Sequence, residues 1–195
     1  MQLIFATNNQ HKVIEIKSVI HPSIQIISLQ EAGINIEIPE PYNTLQENAS
    51  TKSNTIFKLT NKNCFSEDTG LFIESLQNKP GVKSARFAVD EPAYKSNNHK
   101  VLTLMEGMQN RKAYFKTVIS LIWFEKEYFF EGICRGFMHT KELGNKGFGY
   151  DAIFIPDGSN ITFAEMDLFE KNKYSHRQKA VQLFIQFLKN YNGKS

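Results

Sequence analysis

Residues 112–138 constrain the fold more than any other stretch of the chain. "KAYFKTVISLIWF" and "YFFEGICRGFM" are long runs of aromatic and β-branched residues, separated only by Glu125-Lys126-Glu127. Such runs read as strands, and so short a link permits only an antiparallel hairpin. In the first run Phe115, Ile119, Leu121 and Trp123 fall on one face at period two. Two strands alone are marginal in water, so this hairpin belongs inside a larger sheet. The rest of the chain supplies it. Leu3–Thr7 reads as a strand, Lys12–Ile20 as a helix with Glu15 in its first turn, and Ile24–Ser28 as a strand. A helix over Leu45–Thr60 places Leu45, Ala49, Ile56 and Leu59 on one face. "NCFSEDTGLFIESL" alternates as a strand expected to break at Asp68-Thr69-Gly70 and resume, and Pro80-Gly81 marks a turn. Tyr94–Met108 reads as a helix, "GNKGFGYDAIFIP" as a glycine-rich loop entering a strand, and Ser175–Tyr191 as a helix burying Ala180, Phe184, Phe187 and Leu188. The expectation is one mixed α/β domain over residues 1–195, a size that can bury a proper core.

Composition excludes several classes. A net charge of +3 with scattered lysines gives no basic stripe for nucleic acid. The apolar run "VISLIWF" is far too short to span a bilayer, and "MQLIFATNN" has no basic n-region, so a cytoplasmic setting is expected. Cys64 and Cys134 lie in strand-like contexts and read as reduced, buried thiols. The sequons at Asn48 and Asn160 then read as chance matches. No G-x-x-x-x-G-K-[ST] is present, since the terminal "NGKS" lacks the upstream glycine. Gly144, Gly147 and Gly149 do not match the dinucleotide fingerprint, the histidines lack zinc spacing, and there is no G-x-S-x-G elbow.

What remains is a set of polar clusters at the ends of elements. "ATNNQHK" follows the first strand and opens the first helix. Asn there can cap the helix, or the free backbone N–H groups can receive an anion. "SEDTG" offers Glu67 and Asp68, carboxylates suited to a Mg²⁺ ion or to taking a proton from water, or else a plain turn. Glu40 sits between Pro39 and Pro41, and Glu47 and Lys52 lie near a helix start. "GNKGFGYD" lets backbone approach a flat ligand on which an aromatic can stack. Ser175 reads as the cap of the last helix, with His176 and Arg177 in its first turn, where cations oppose the helix dipole. A bound anion or a carbonyl acceptor would offset that cost.

Taken together and in order, "TNNQHKVIE", "ENASTK", "SEDTGL", "PGVKSARFA", "GFGYDAIF", "AEM", "EKN" and "SHR" resemble the inosine triphosphate pyrophosphatase family over nearly the full length. The resemblance implies an elongated α/β fold, with a mixed twisted central sheet, flanking helices and two lobes around a cleft, usually as a homodimer. It implies that Thr7, Asn8, Asn9, Lys12 and Lys52 hold a triphosphate, and that Glu40, Asp68 and Glu67 serve Mg²⁺. Asp68 is also the proton acceptor, with Thr69 beside the substrate. Phe148, Gly149, Tyr150, Asp151, Lys171, His176 and Arg177 line the base pocket. Two departures stand out. Ala152 follows Tyr-Asp where proline is common, and Glu67 replaces a frequent aspartate.

The implied reaction cleaves non-standard purine triphosphates (ITP, dITP, XTP) between the α and β phosphates. Donors from His176 and Arg177 would read the 6-oxo group and be left unpaired by adenine. Two rival classes share parts of this pattern. A nucleotide-binding module without catalysis would not need Glu40, Glu67 and Asp68, and an RNA binder using Phe148 and Tyr150 would need the missing basic stripe.

Overall fold

The computed structural model describes residues 1–191; the "NGKS" stretch lies outside the described residues. In chain order the elements are β1 Gln2–Phe5, α1 Gln10–Val19, β2 Gln25–Ser28, α2 Leu45–Thr60, β3 Cys64–Ile73 and β4 Lys79–Gly81. They continue as α3 Asn97–Leu104, β5 Lys112–Trp123, β6 Lys126–Met138, β7 Phe154–Pro156, α4 Leu168–Asn172 and α5 His176–Asn190. The strands form a mixed seven-stranded sheet in the order β2-β1-β3-β5-β6-β7, with β4 paired to β3. β1 runs parallel to β2 and β3, while β3–β4 and β6–β7 are antiparallel. This is the α/β class the pattern predicted.

Several expectations need correction. β3 does not break at Asp68-Thr69-Gly70 but runs on to Ile73. Gly70 is there for proximity, because a Cβ on it would stand 2.7 Å from the Gly81 carbonyl oxygen of β4. The hairpin turn lies at Phe124 and Glu125, both at positive φ, rather than at residues 125–127. α3 is shorter than residues 94–108 because Ser96 caps it by accepting the His99 N–H. α1 begins at Gln10, capped by Asn9, so Glu15 falls in its second turn and is buried. Leu45, Ala49 and Ile56 are buried as expected, but Leu59 is 58 % exposed, and the polar Asn48, Lys52 and Ser53 share the buried face. α2 itself has the predicted limits. At its start Thr44 Oγ1 accepts the Glu47 N–H at 3.2 Å and donates to Glu47 Oε2 at 2.6 Å, and Asn61 in the left-handed conformation ends it.

The chain divides into two compact units. Among the described residues the first comprises 1–68, 117–132 and 177–191. In it the period-two pleat sends alternate side chains to opposite faces. Leu3, Phe5, Phe65, Ile119, Leu121 and Trp123 pack with Val13 and Ile16 of α1 and with Ala180, Phe184 and Leu188 of α5. Ile4, Ala6, Cys64 and Ile122 pack with Ile56 of α2. Burial on both faces explains why β5 beyond Thr117 is apolar at every position but Ser120. The second unit comprises residues 69–116 and 133–176. Its core joins Leu71 and Ile73 of β3 to Val101 of α3, to Met105 just after that helix, and to Phe115, Cys134, Phe154 and Phe163. Both cysteines are buried, and neither forms a disulfide. Among the described residues no helix is long and apolar enough to cross a membrane.

Candidate active site

The first unit gathers charged side chains just past the end of β1 and midway along β3. α1 begins just after β1, and its cap is satisfied internally. The Asn9 side chain accepts the Lys12 N–H at 3.3 Å, and Thr7 Oγ1 accepts the Asn9 N–H at 3.2 Å. Asn8 donates to the Ile36 carbonyl. Capping therefore accounts for the local hydrogen bonds of this junction. The cap also fixes Lys12 in the first turn, where its Nζ stands 3.0 Å from Glu67 Oε1.

Glu67 and Asp68 are consecutive in β3, so their side chains leave the strand on opposite faces. Glu67 is fully buried and accepts two bonds from Arg177, from Nε at 2.8 Å and from Nη2 at 3.0 Å. Arg177 Nη1 donates to Glu15 Oε2 of α1. Burial alone would push the Glu67 carboxyl up; the Arg177 guanidinium and the Lys12 ammonium outweigh it and hold it at about 2. The cost of a cation in the first turn of α5 is thus offset by the protein's own carboxylates. Because the folded-state value lies below the ordinary 4.5, this contribution to stability is complete above pH 4.5 and is lost as pH falls toward about 2. Urea unfolding across that window should show falling midpoints in the native chain and a flatter, lower profile in Glu67→Gln. Parallel profiles would exclude Glu67 as the group responsible.

Asp68 takes the other face. Its Oδ2 accepts from Asn48 Nδ2 at 3.2 Å, and its Oδ1 lies 3.8 Å from Lys52 Nζ. Lys52 Nζ also meets Glu40 Oε1 at 2.5 Å. Lys52 is not the solvated lysine that base rates favour; it is buried and faces two carboxylates. Burial raises the Asp68 carboxyl above its ordinary value and Glu40 adds to the rise, while Lys52, Lys12 and Asn48 pull it back. Among the described residues no three His, Cys, Asp or Glu side chains form a metal cage. The pair Glu40 and Asp68 still suits Mg²⁺, which takes one or two carboxylates and keeps waters for the rest. A single positive charge already sits between their oxygens. Glu67 suits it poorly, since its oxygens face Arg177 and Lys12.

The second unit carries the glycine-rich loop. Gly147 has a φ of 71°, and a Cβ there would stand 2.1 Å from Asp151 Oδ2. That oxygen accepts the Phe148 N–H at 2.8 Å and meets Lys171 Nζ of α4 at 2.6 Å. The Lys171 ammonium lies 5.3 Å from the Phe148 ring centre and 5.2 Å from that of Phe163. Phe148 is half-buried and Gly149 exposed, so this part of the loop is open to a flat ligand. Tyr150 is not: its ring lies in the core and its hydroxyl donates to the Ser84 carbonyl at 2.8 Å, so it anchors the loop. His176 is buried and stacks on Phe115, with ring centres 4.7 Å apart. Thr69 is half-buried.

Two residues of these clusters escaped the sequence reading. Glu15 was read only as a first-turn acid, and Asn48 only as a sequon. Both sit at helix positions where a buried polar side chain looks like a surface one until its partners are known. The Asn48 side chain has no exposed surface, which rules out glycosylation in the folded chain.

The model of the Ham1 family matches residues 3–187. A dITP/XTP pyrophosphatase of Flavobacterium psychrophilum is 45% identical over 190 residues, covering 97% of this chain and 100% of the relative. One from Caldanaerobacter subterraneus is 45% identical over 186 residues, covering 93% and 92%. Among solved structures, the Ham1 protein of Staphylococcus aureus superposes with a TM-score of 0.86 at 30% identity, covering 98% of this chain and 100% of that one. A HAM1 protein from Coxiella burnetii gives 0.86 at 30%, covering 97% and 98%. By sequence over nearly its whole length and by fold, this chain belongs to the Ham1 family.

Proposed function

We propose that the protein hydrolyses non-standard purine nucleoside triphosphates (ITP, dITP and XTP) to the monophosphate and pyrophosphate. The observation that carries this reading is the meeting of Glu40 Oε1 and Asp68 Oδ1 on Lys52 Nζ, in a chain whose relatives are named dITP/XTP pyrophosphatases. A pure binding module would have no use for two carboxylates held beside phosphate-binding lysines. Glu40 and Asp68 hold Mg²⁺ in this reading, and the ion would screen the charge on the phosphate oxygens. Thr7, Asn8, Asn9, Lys12 and Lys52 bind the triphosphate, and Thr69 lies next to it. Asp68 Oδ1 orients a water and takes its proton, a role that its raised carboxyl favours. Phe148, Gly149, Asp151, Lys171 and His176 receive the base, and Tyr150 braces their loop. Arg177 directs Nε, Nη1 and Nη2 to carboxylates, so its part in base selection runs through the placement of Glu67 and Glu15. A cytoplasmic homodimer using Mg²⁺ completes the reading.

Pyrophosphate release from ITP, XTP, GTP, ATP and dUTP, each with and without Mg²⁺, tests it. Fast metal-dependent cleavage of ITP and XTP, with little from ATP and GTP, is the expected result. Equal rates on all five would keep the phosphate chemistry and remove the base selectivity. No release from any would leave a binding module.

A further inference from the structure

Asn48 stands on α2 one turn before Lys52, and its side chain is completely buried. A buried carboxamide needs partners, and this one has three, all within the first unit. Oδ1 accepts the Tyr42 N–H at 3.0 Å. Nδ2 donates to the Tyr42 carbonyl at 3.1 Å and to Asp68 Oδ2 at 3.2 Å. The partner set fixes the amide's orientation, since a flipped amide would turn its oxygen toward two acceptors. The two bonds to Tyr42 grip both polar groups of one backbone residue, two positions after Glu40. Pro39 and Pro41 flank Glu40 and stiffen that segment, so a fixed Tyr42 means a fixed Glu40. The third bond holds Asp68 by Oδ2 and turns Oδ1 toward Lys52.

We propose that Asn48 is a positioning residue that sets the spacing of Glu40 and Asp68, joining the loop that carries one carboxylate to the strand that carries the other. The proposal rests on the pyrophosphatase reading, in which those two carboxylates hold the metal. Nothing in covalent connection fixes that spacing, because Glu40 lies in an irregular loop and Asp68 in a strand. Like charges repel, and Lys52 and Lys12 are the cations that face Asp68 against Glu40. Lys52 moderates the repulsion but rides on a flexible stem; the carboxamide is the rigid link. α2 is itself anchored elsewhere. Ser66 Oγ donates to the Ala49 carbonyl at 2.5 Å, and Ser53 Oγ bonds with Ser120 Oγ at 2.6 Å. Losing Asn48 should therefore leave the helix in place and loosen the carboxylate pair.

The test compares Asn48→Ala with Ser53→Ala, a second fully buried polar residue of α2 whose side-chain bonds go to Ser120 and to the Ser50 carbonyl. Mn²⁺ binding to metal-free protein is read from the loss of the free-ion resonance signal, alongside exchange of the Tyr42 amide and kcat and KM with ITP and Mg²⁺. In Asn48→Ala, Mn²⁺ affinity and kcat should each fall about 10–100-fold, the usual effect of removing a group that orients a metal ligand. KM for ITP should stay within about threefold, because the phosphate and base contacts remain. The Tyr42 amide should exchange faster. Ser53→Ala should lower thermal stability and leave Mn²⁺ affinity unchanged. Wild-type Mn²⁺ affinity in Asn48→Ala, or an equal loss in Ser53→Ala, would overturn the proposal. If Asn48→Ala does not fold, Asn48→Ser is read the same way, since its hydroxyl is too short to reach Tyr42 and Asp68 together. If the native chain binds Mn²⁺ and Asn48→Ala weakens that binding, yet the native chain releases no pyrophosphate from ITP, the activity reading fails and the positioning role stands.

Discussion

Asp68→Asn should leave a folded protein that binds ITP and turns it over about 10²–10⁴-fold more slowly, the range lost with a general base. The substitution keeps the shape of the side chain and an oxygen for the Asn48 amide. Stability should hold, because burial already disfavours the charged form of Asp68 and a neutral amide removes that penalty. The Lys52 ammonium loses one of its two carboxylates and keeps Glu40 at 2.5 Å. Stopped-time pyrophosphate assays with an independent ITP-binding measurement separate turnover from binding. Near-normal turnover would refute the assignment of Asp68 as base.

The second large effect belongs to stability. Arg177→Met removes the guanidinium that pairs with two buried carboxylates, Glu67 and Glu15, which come from β3 and α1. Breaking a buried ion pair from one side costs about 3–5 kcal/mol, since the surviving charges stay buried. For a chain of this length that corresponds to a fall in Tm of roughly 6–20 °C. Adding Glu67→Gln should restore part of the loss, because the charge left behind is then removed. Arg177 is held well above its ordinary value by these carboxylates, against the opposing effect of its own burial, so pH offers no route to the same state. Thermal unfolding of the two single variants and the double variant measures this. A drop below about 1 kcal/mol for Arg177→Met would mean that the network is not what ties α5 to β3 and α1.

Much of the frame was legible in the residues because periodicity and caps are local. α2 could be bounded from Leu45 to Thr60, and the structure shows why: Thr44 caps one end, and Asn61 turns the other. The long hairpin was equally plain, though its turn sits at Phe124-Glu125, where two residues accept positive φ without being glycine. Asp68-Thr69-Gly70 looked like a break because glycine usually ends a strand. It is a continuation, and the reason, the Gly81 carbonyl pressed against Gly70, lies eleven residues away on another strand. Leu59 looked buried by spacing and is exposed.

The sequence by itself determined the α/β class, the longer strands and helices, the absence of a basic stripe, and a motif order sufficient to assign the family. These depend on local pattern and residue type. Only the tertiary structure decided which polar groups lose their water, and that decides their chemistry. Glu15 and Arg177 are 162 positions apart and become one ion pair. Asn48 changes from a sequon to the link between Glu40 and Asp68. Tyr150 changes from a stacking platform to a core anchor. Lys52 changes from a surface lysine to the charge between two carboxylates. A polar side chain carries no mark of its burial in the local sequence; desolvation and partnership arise only when distant segments close around it.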